Sequence, residues 1–176
     1  TGVQTCALPL LAPFQSLTMT WSCERLLQIA RNHSTACEQW PGQPRGFSPR
    51  ASRLRVGYVS GDLYDHAVGH LLHGFFEKHD RVNFEVFVYS FGPSDGSMFR
   101  KRMEEGAEHF VDASALDSRQ LVERIQGDGI AILVDLMGYT GVQRMEVFAQ
   151  RPAPVQVSFL GMLGTMGAKF IDYLVT

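Results

Sequence analysis

Apolar and polar positions change rhythm near residue 50. Over residues 14–38, Trp21, Leu26, Leu27, Ile29 and Ala30 form one apolar face at about 3.6-residue spacing, which predicts a helix. Thr20 or Ser22 can cap its start. The stretch P-G-Q-P-R-G-F-S-P-R over 41–50 then reads as a linker. Beyond it, short apolar runs alternate with amphipathic stretches. The runs predict strands over 54–60, 84–91, 109–112, 130–136, 155–160 and 171–175. Between them the pattern predicts helices over 68–79, 97–105, 118–126 with Asp117 as N-cap, and 142–150.

Strands alternating with helices imply crossover connections, hence a parallel sheet covered on both faces. The fold class is α/β, a Rossmann-like domain over 51–176, preceded by a helical connector and linker over 1–50. The aromatic residues Phe75, Phe76, Phe84, Phe87, Tyr89 and Phe91 sit at core spacings and read as packing.

In such sheets ligands bind beyond the carboxyl ends of the strands, so the residues after each strand are the candidates. After the first strand come Gly61, Asp62, Leu63, Tyr64, Asp65 and His66. A histidine there can bind a polar substrate or act as a base; a capping or surface histidine is the plainer reading. His66, His70 and His73 share one helical face, and a pair at i and i+4 can bind zinc, but no H-E-x-x-H pattern is present, no further ligand is obvious, and no metal site is expected. His109 opens the third strand, a place that suits a buried structural histidine. After the fourth strand, Gly138, Tyr139 and Thr140 offer hydroxyls to a sugar or phosphate, or form a simple turn with a core tyrosine. The fifth strand runs into Gly161, Gly164 and Gly167, a turn in which backbone amides can approach a ligand closely.

The 176 residues suit one domain with a real core. A net charge of -2 gives no case for a nucleic-acid or anionic-membrane partner. There is no apolar run of membrane-spanning length, and the start lacks the basic region of a signal peptide. Cys6, Cys23 and Cys37 are odd in number and match no zinc spacing, so they read as free thiols in a reducing, cytoplasmic compartment. The chain looks cut at both ends, and its first eight residues carry no period.

Three segments together carry a family resemblance: R-L-R-V-G-Y-V-S-G-D at 53–62, D-L-M-G-Y-T at 135–140 and L-G-M-L-G-T-M-G at 160–167. From Arg53 onward the chain resembles the first half of the catalytic region of the protein O-GlcNAc transferase family, which includes the SPINDLY-type proteins. The resemblance implies half of a two-domain GT-B glycosyltransferase, with most nucleotide contacts and the tetratricopeptide repeats outside this sequence. It implies transfer of N-acetylglucosamine from UDP-N-acetylglucosamine to serine or threonine of proteins, with no metal or other cofactor, and no transfer by this stretch alone. By the same resemblance, S-G-D-L-Y-D-H makes His66 an active-site histidine and candidate base. His109 matches a family histidine facing the cleft, and Asp135 the acidic or amide position before G-Y-T. Asp62, Gly138, Tyr139, Thr140, Leu160, Gly161, Gly164 and Thr165 would bind substrate. Met162 and Leu163 depart from the family's tyrosine–proline pair, and losing the proline frees a φ angle. Two other readings remain: a SPINDLY-type fucosyltransferase using GDP-fucose, and a non-catalytic interaction module.

Overall fold

The computed structural model describes residues 12–38 and 52–176; the linker over 41–50 and Cys6 lie outside them. The strands are β1 (Leu54–Ser60), β2 (Phe84–Ser90), β3 (His109–Asp112), β4 (Ile132–Asp135), β5 (Val155–Phe159) and β6 (Tyr173–Val175). The helices are α1 (Pro13–Ser16), α2 (Cys23–Cys37), α3 (Ala67–Leu72), α4 (Met98–Gly106), α5 (Ser118–Gly127) and α6 (Met145–Ala149). The strands form one sheet in the order β3-β2-β1-β4-β5-β6. Every neighbouring pair is parallel, with β1 lying between β2 and β4. This is the Rossmann-like doubly wound sheet that the alternating pattern implies.

Both faces of the inner strands β1, β2, β4 and β5 are buried, and side chains alternate between them. Val86 and Val88 join Leu72, Phe76 and Met103 in the core under α3 and α4. Phe87 and Tyr89 join Leu121, Ile125 and Phe148 in the core under α5 and α6. The apolar runs are continuous because each face needs its own apolar set.

Several helices are shorter than periodicity predicts, each for a local reason. The helix over 14–38 is two helices, because Ser22 is extended and its hydroxyl accepts the Arg25 amide, restarting the turn. The helix over 68–79 is α3 followed by a 3-10 turn at Phe76–Lys78. There His73 Nδ1 pairs with the His70 carbonyl at 2.7 Å, and Gly74 follows. The helix over 142–150 starts only at Met145, whose amide donates to Gln143 Oε1. β5 stops at Phe159 because Leu160 has φ +73.

The connector helix α2 packs onto the sheet domain. Ile29 and Ala30 are each 1% exposed, and Ala30 belongs to the core under α5 and α6. Ser34 donates to the Gly167 carbonyl at 3.2 Å, and the His33 ring meets Tyr139 edge-on at 4.7 Å.

Candidate functional site

A cleft of about 840 Å³ opens along the carboxyl edge of the sheet. It sits where the strand order reverses, between β1 and β4. Asp62, Tyr64 and His66 enter it from the loop after β1, and Phe91 and Gly92 from the end of β2. Ser114 follows β3, Thr140 and Val142 follow β4, and Leu160 and Gly161 follow β5. Phe14 of α1 closes one side. Among the described residues no lysine or arginine lines it, and its polar character comes from one carboxylate, one imidazole, hydroxyls and backbone.

The β1 loop is set by short bonds. The Asp62 amide donates to Ser60 Oγ at 2.9 Å, and the Gly61 amide donates to the Met137 sulfur at 2.9 Å. That sulfur occupies the amide which a first strand-to-helix turn would otherwise aim at an anion. Asp62 is half-buried; burial pushes its carboxyl pKa up, and the nearby His66 opposes the shift. His66 caps α3, its Nδ1 accepting the Val68 amide at 3.3 Å. An accepting Nδ1 leaves the proton on Nε2. In this arrangement His66 can donate a hydrogen bond to a substrate oxygen. To act as a base through Nδ1 it would first have to give up the cap. Asp62 is thus the carboxylate acceptor that the cleft can offer to a substrate hydroxyl.

The β4 turn is pinned by Asp135, 2% exposed. Its carboxylate accepts the Met137 and Gly138 amides at 3.0 and 2.8 Å and the Ser158 hydroxyl at 3.3 Å. Gly138 has φ +62, and a Cβ there would lie 2.6 Å from Met162 Cβ. That turn swings Tyr139 inward: it is 4% exposed and donates to the Met166 carbonyl at 2.8 Å. Tyr139 is therefore a core residue whose ionisation burial strongly disfavours, and it does not line the cleft. Thr140 does, with its hydroxyl donating to the Met137 carbonyl.

The glycine loop divides between two cavities. Gly161 bonds back to the Phe159 carbonyl at 2.9 Å, closing a γ-turn around Leu160 at φ +73, a strained form for a non-glycine residue. A Cβ on Gly161 would stand 2.2 Å from the Leu136 oxygen, so only glycine lets the β5 loop lie against the β4 turn. Gly164 and Thr165 instead line a second cavity of about 800 Å³ beside α2. Met162 is buried among the core methionines, while Leu163 is 94% exposed.

His109 is not brought to the cleft. It opens β3 at its amino end, opposite Phe87, on the edge strand of the sheet. Its ring stacks on Phe87 at 4.2 Å, and Nε2 pairs with Glu85 Oε1 at 2.9 Å. The amino end of a parallel strand faces away from the carboxyl-edge cleft, which is the physical reason for the separation. Neither is it buried, its side chain being 44% exposed. Phe91, Gly92, Ser114 and Val142 were not singled out from the sequence as site residues, although each follows a strand end, and Tyr64 was named after the first strand without a role. Phe91, read as core packing, forms part of the cleft wall. Phe14 carried no signal at all. Among the described residues, no group of three or more His, Cys, Asp or Glu is placed to hold a metal, and no helix is long and apolar enough to cross a membrane.

Fold and cleft together define a Rossmann-like α/β domain with a cleft at the switch point of a parallel sheet. The chain belongs to glycosyl transferase family 41, whose model matches residues 3–176. It is 38% identical to the probable UDP-N-acetylglucosamine–peptide N-acetylglucosaminyltransferase SEC of Arabidopsis thaliana, covering 99% of this chain and 19% of that one. It is likewise 38% identical to the UDP-N-acetylglucosamine–peptide N-acetylglucosaminyltransferase of Caenorhabditis elegans, covering 96% of this chain and 16% of that one. Among solved structures, a mutant O-GlcNAc transferase from Thermobaculum terrenum superposes with a TM-score of 0.77 at 35% identity. That match covers 88% of this chain and 30% of the other. The chain thus spans less than a fifth of the length of these two curated relatives.

Proposed function

We propose that this chain forms one wall of the active site of a protein O-linked N-acetylglucosaminyltransferase. The reaction moves N-acetylglucosamine from UDP-N-acetylglucosamine to a serine or threonine hydroxyl of a protein. The observation that carries the reading is the switch-point cleft in a chain of this family, with a carboxylate and an imidazole on the same loop. The acceptor oxygen attacks the anomeric carbon as the bond to UDP breaks, and the hydroxyl proton must leave. In this reading Asp62 accepts that hydroxyl's hydrogen bond and then its proton, and His66 Nε2–H holds a substrate oxygen in line. Leu160 and Gly161 present backbone to the sugar. A cleft with no lysine or arginine among the described residues of its lining is poorly matched to a diphosphate, and the proposal assigns most UDP contacts to parts of the enzyme outside this chain. The proposal includes no metal cofactor and an intracellular setting.

The test is a transfer assay on this chain extended to the length of its relatives' catalytic region, with labelled UDP-N-acetylglucosamine and a serine-containing peptide. The expected outcome is labelled peptide, with Asp62→Asn and His66→Ala each lowering kcat/KM by about 100-fold. Label taken from GDP-fucose instead would assign the other donor. No transfer from either donor would reduce the domain to an interaction module.

A further inference from the structure

The stretch from Gly92 after β2 to Arg100 in the first turn of α4 holds the β1–α3 loop at residues 61, 63 and 65. A Cβ on Gly92 would lie 1.7 Å from the Gly61 oxygen, so these backbones are in direct contact. Arg100 Nη1 donates to the Leu63 carbonyl at 3.3 Å. The Asp65 amide donates to Asp95 Oδ2 at 2.8 Å. The intervening residues, Asp62, Tyr64 and His66, are the ones whose side chains line the cleft, and Gly61 borders both sides. The loop bends over residues 64–66, where the His66 amide donates to the Tyr64 carbonyl at 2.7 Å. Fastening residues 61, 63 and 65 therefore fixes the backbone from which 62, 64 and 66 project.

Arg100 is unusual for a helix that reads as polar. It is 2% exposed, among the most buried side chains described. Burying a guanidinium is costly unless its donors are occupied. Here Nε pairs with Glu104 at 2.6 Å, Nη1 also donates to Ser90 Oγ at 2.5 Å, and the plane lies over Phe110 at 4.5 Å. One rigid fork thus ties the carboxyl end of β2, the loop after β1 and helix α4. A lysine has the charge but lacks the fork. Asp95 adds the second tie, and its other oxygen accepts the Ser97 amide at 3.0 Å, anchoring it to the start of α4.

We propose that Arg100 and Asp95, helped by the close approach of Gly92, are positioning residues that set Asp62, Tyr64 and His66 in the cleft. The functional meaning rests on reading that cleft as the transfer site. The test does not, because it reads the histidine itself and not sugar transfer.

The experiment is long-range proton–nitrogen NMR of the His66 ring in the labelled 176-residue chain at alkaline pH, with amide exchange measured alongside. The wild-type chain should show His66 with Nδ1 unprotonated and hydrogen-bonded and the proton on Nε2. Arg100→Lys and Asp95→Ala should keep a cooperative melt. In both, the His66 signature should shift toward the mixed tautomers of a free imidazole. In Asp95→Ala, exchange at the Asp65 amide should rise about tenfold or more, the worth of a hydrogen bond to a charged group. A purely structural role would lower the melting temperature and leave the His66 signature unchanged. That result in either folded variant overturns the proposal. If Arg100→Lys does not fold, the exposed Asp95→Ala site decides alone.

Discussion

Asp135 carries two opposed tendencies in one side chain. Its carboxylate lies wholly inside the protein, which favours the neutral acid. Two backbone amides and the Ser158 hydroxyl donate to it, which favours the anion. Burial is the larger effect, and the pKa is pushed up to about 6 from an ordinary value of 3.8. The sign follows from linkage. A carboxyl whose folded pKa is raised stabilises the fold below its unfolded pKa and loses that contribution as pH rises through its folded pKa. For Asp135 the loss falls between about pH 4 and 6 and amounts to about 3 kcal/mol at most, from two pKa units. Asp135→Asn removes the titration and leaves a constant offset from the lost acceptor. Urea unfolding of both proteins across this range should show the wild type losing stability relative to the variant as pH rises, then levelling above about pH 7. A difference that stays flat from acid to neutral pH would mean that Asp135 does not titrate in this window.

Elements were easier to read than their edges. All six strands could be read from the sequence: the inner strands β1, β2, β4 and β5 are buried on both faces and demand near-unbroken apolar runs, while the more exposed edge strands β3 and β6 are short apolar-centred runs of four and three residues. Helix ends depend on single hydrogen bonds, such as His73 to the His70 carbonyl or Met145 to Gln143, which periodicity cannot see. The site divides in the same way. The rule that ligands sit beyond strand ends leads to Asp62, His66, Thr140, Leu160 and Gly161, all of which line the cleft. Used alone, it would have set His109 aside, since that residue begins its strand. The inward turn of Tyr139 depends on the left-handed backbone at Gly138, and the burial of Arg100 on what lies beneath α4; neither leaves a mark in local sequence. Helix α2 read as a connector because it precedes the Pro/Gly-rich stretch over 41–50, yet its apolar face meets the sheet domain. Ala30→Asp should therefore destabilise the chain by about 3 kcal/mol or more, the penalty for an unpaired charge placed in a core. The check is the urea midpoint. A change within about 0.5 kcal/mol, typical of surface positions, would show that α2 is only a tether.

On the scale of the whole molecule, the sheet gathers one loop from each of β1, β2, β3, β4 and β5 around a single cleft. Charge decides what this cleft can do by itself. Its lining has a carboxylate and no lysine or arginine among the described residues; Arg144 lies against Phe91 but donates to the Leu116 carbonyl. The Gly61 amide, the natural backbone donor for an anion at the first turn, is taken by Met137. A departing nucleoside diphosphate needs several such donors, and losing even one comparable donor costs a reaction about 100-fold or more. The isolated 176-residue chain should therefore fold, with a cooperative melt, and transfer no sugar from UDP-N-acetylglucosamine. Calorimetry should likewise show UDP binding to it far more weakly than to the chain extended to its relatives' catalytic length. Adding EDTA to the extended chain should leave transfer unchanged, because the proposed mechanism assigns no step to a metal. Transfer by the isolated chain would show that the diphosphate finds its donors within these residues. Loss of the extended chain's activity in EDTA, restored by a divalent cation, would show that a metal supplies the charge here assigned to protein groups.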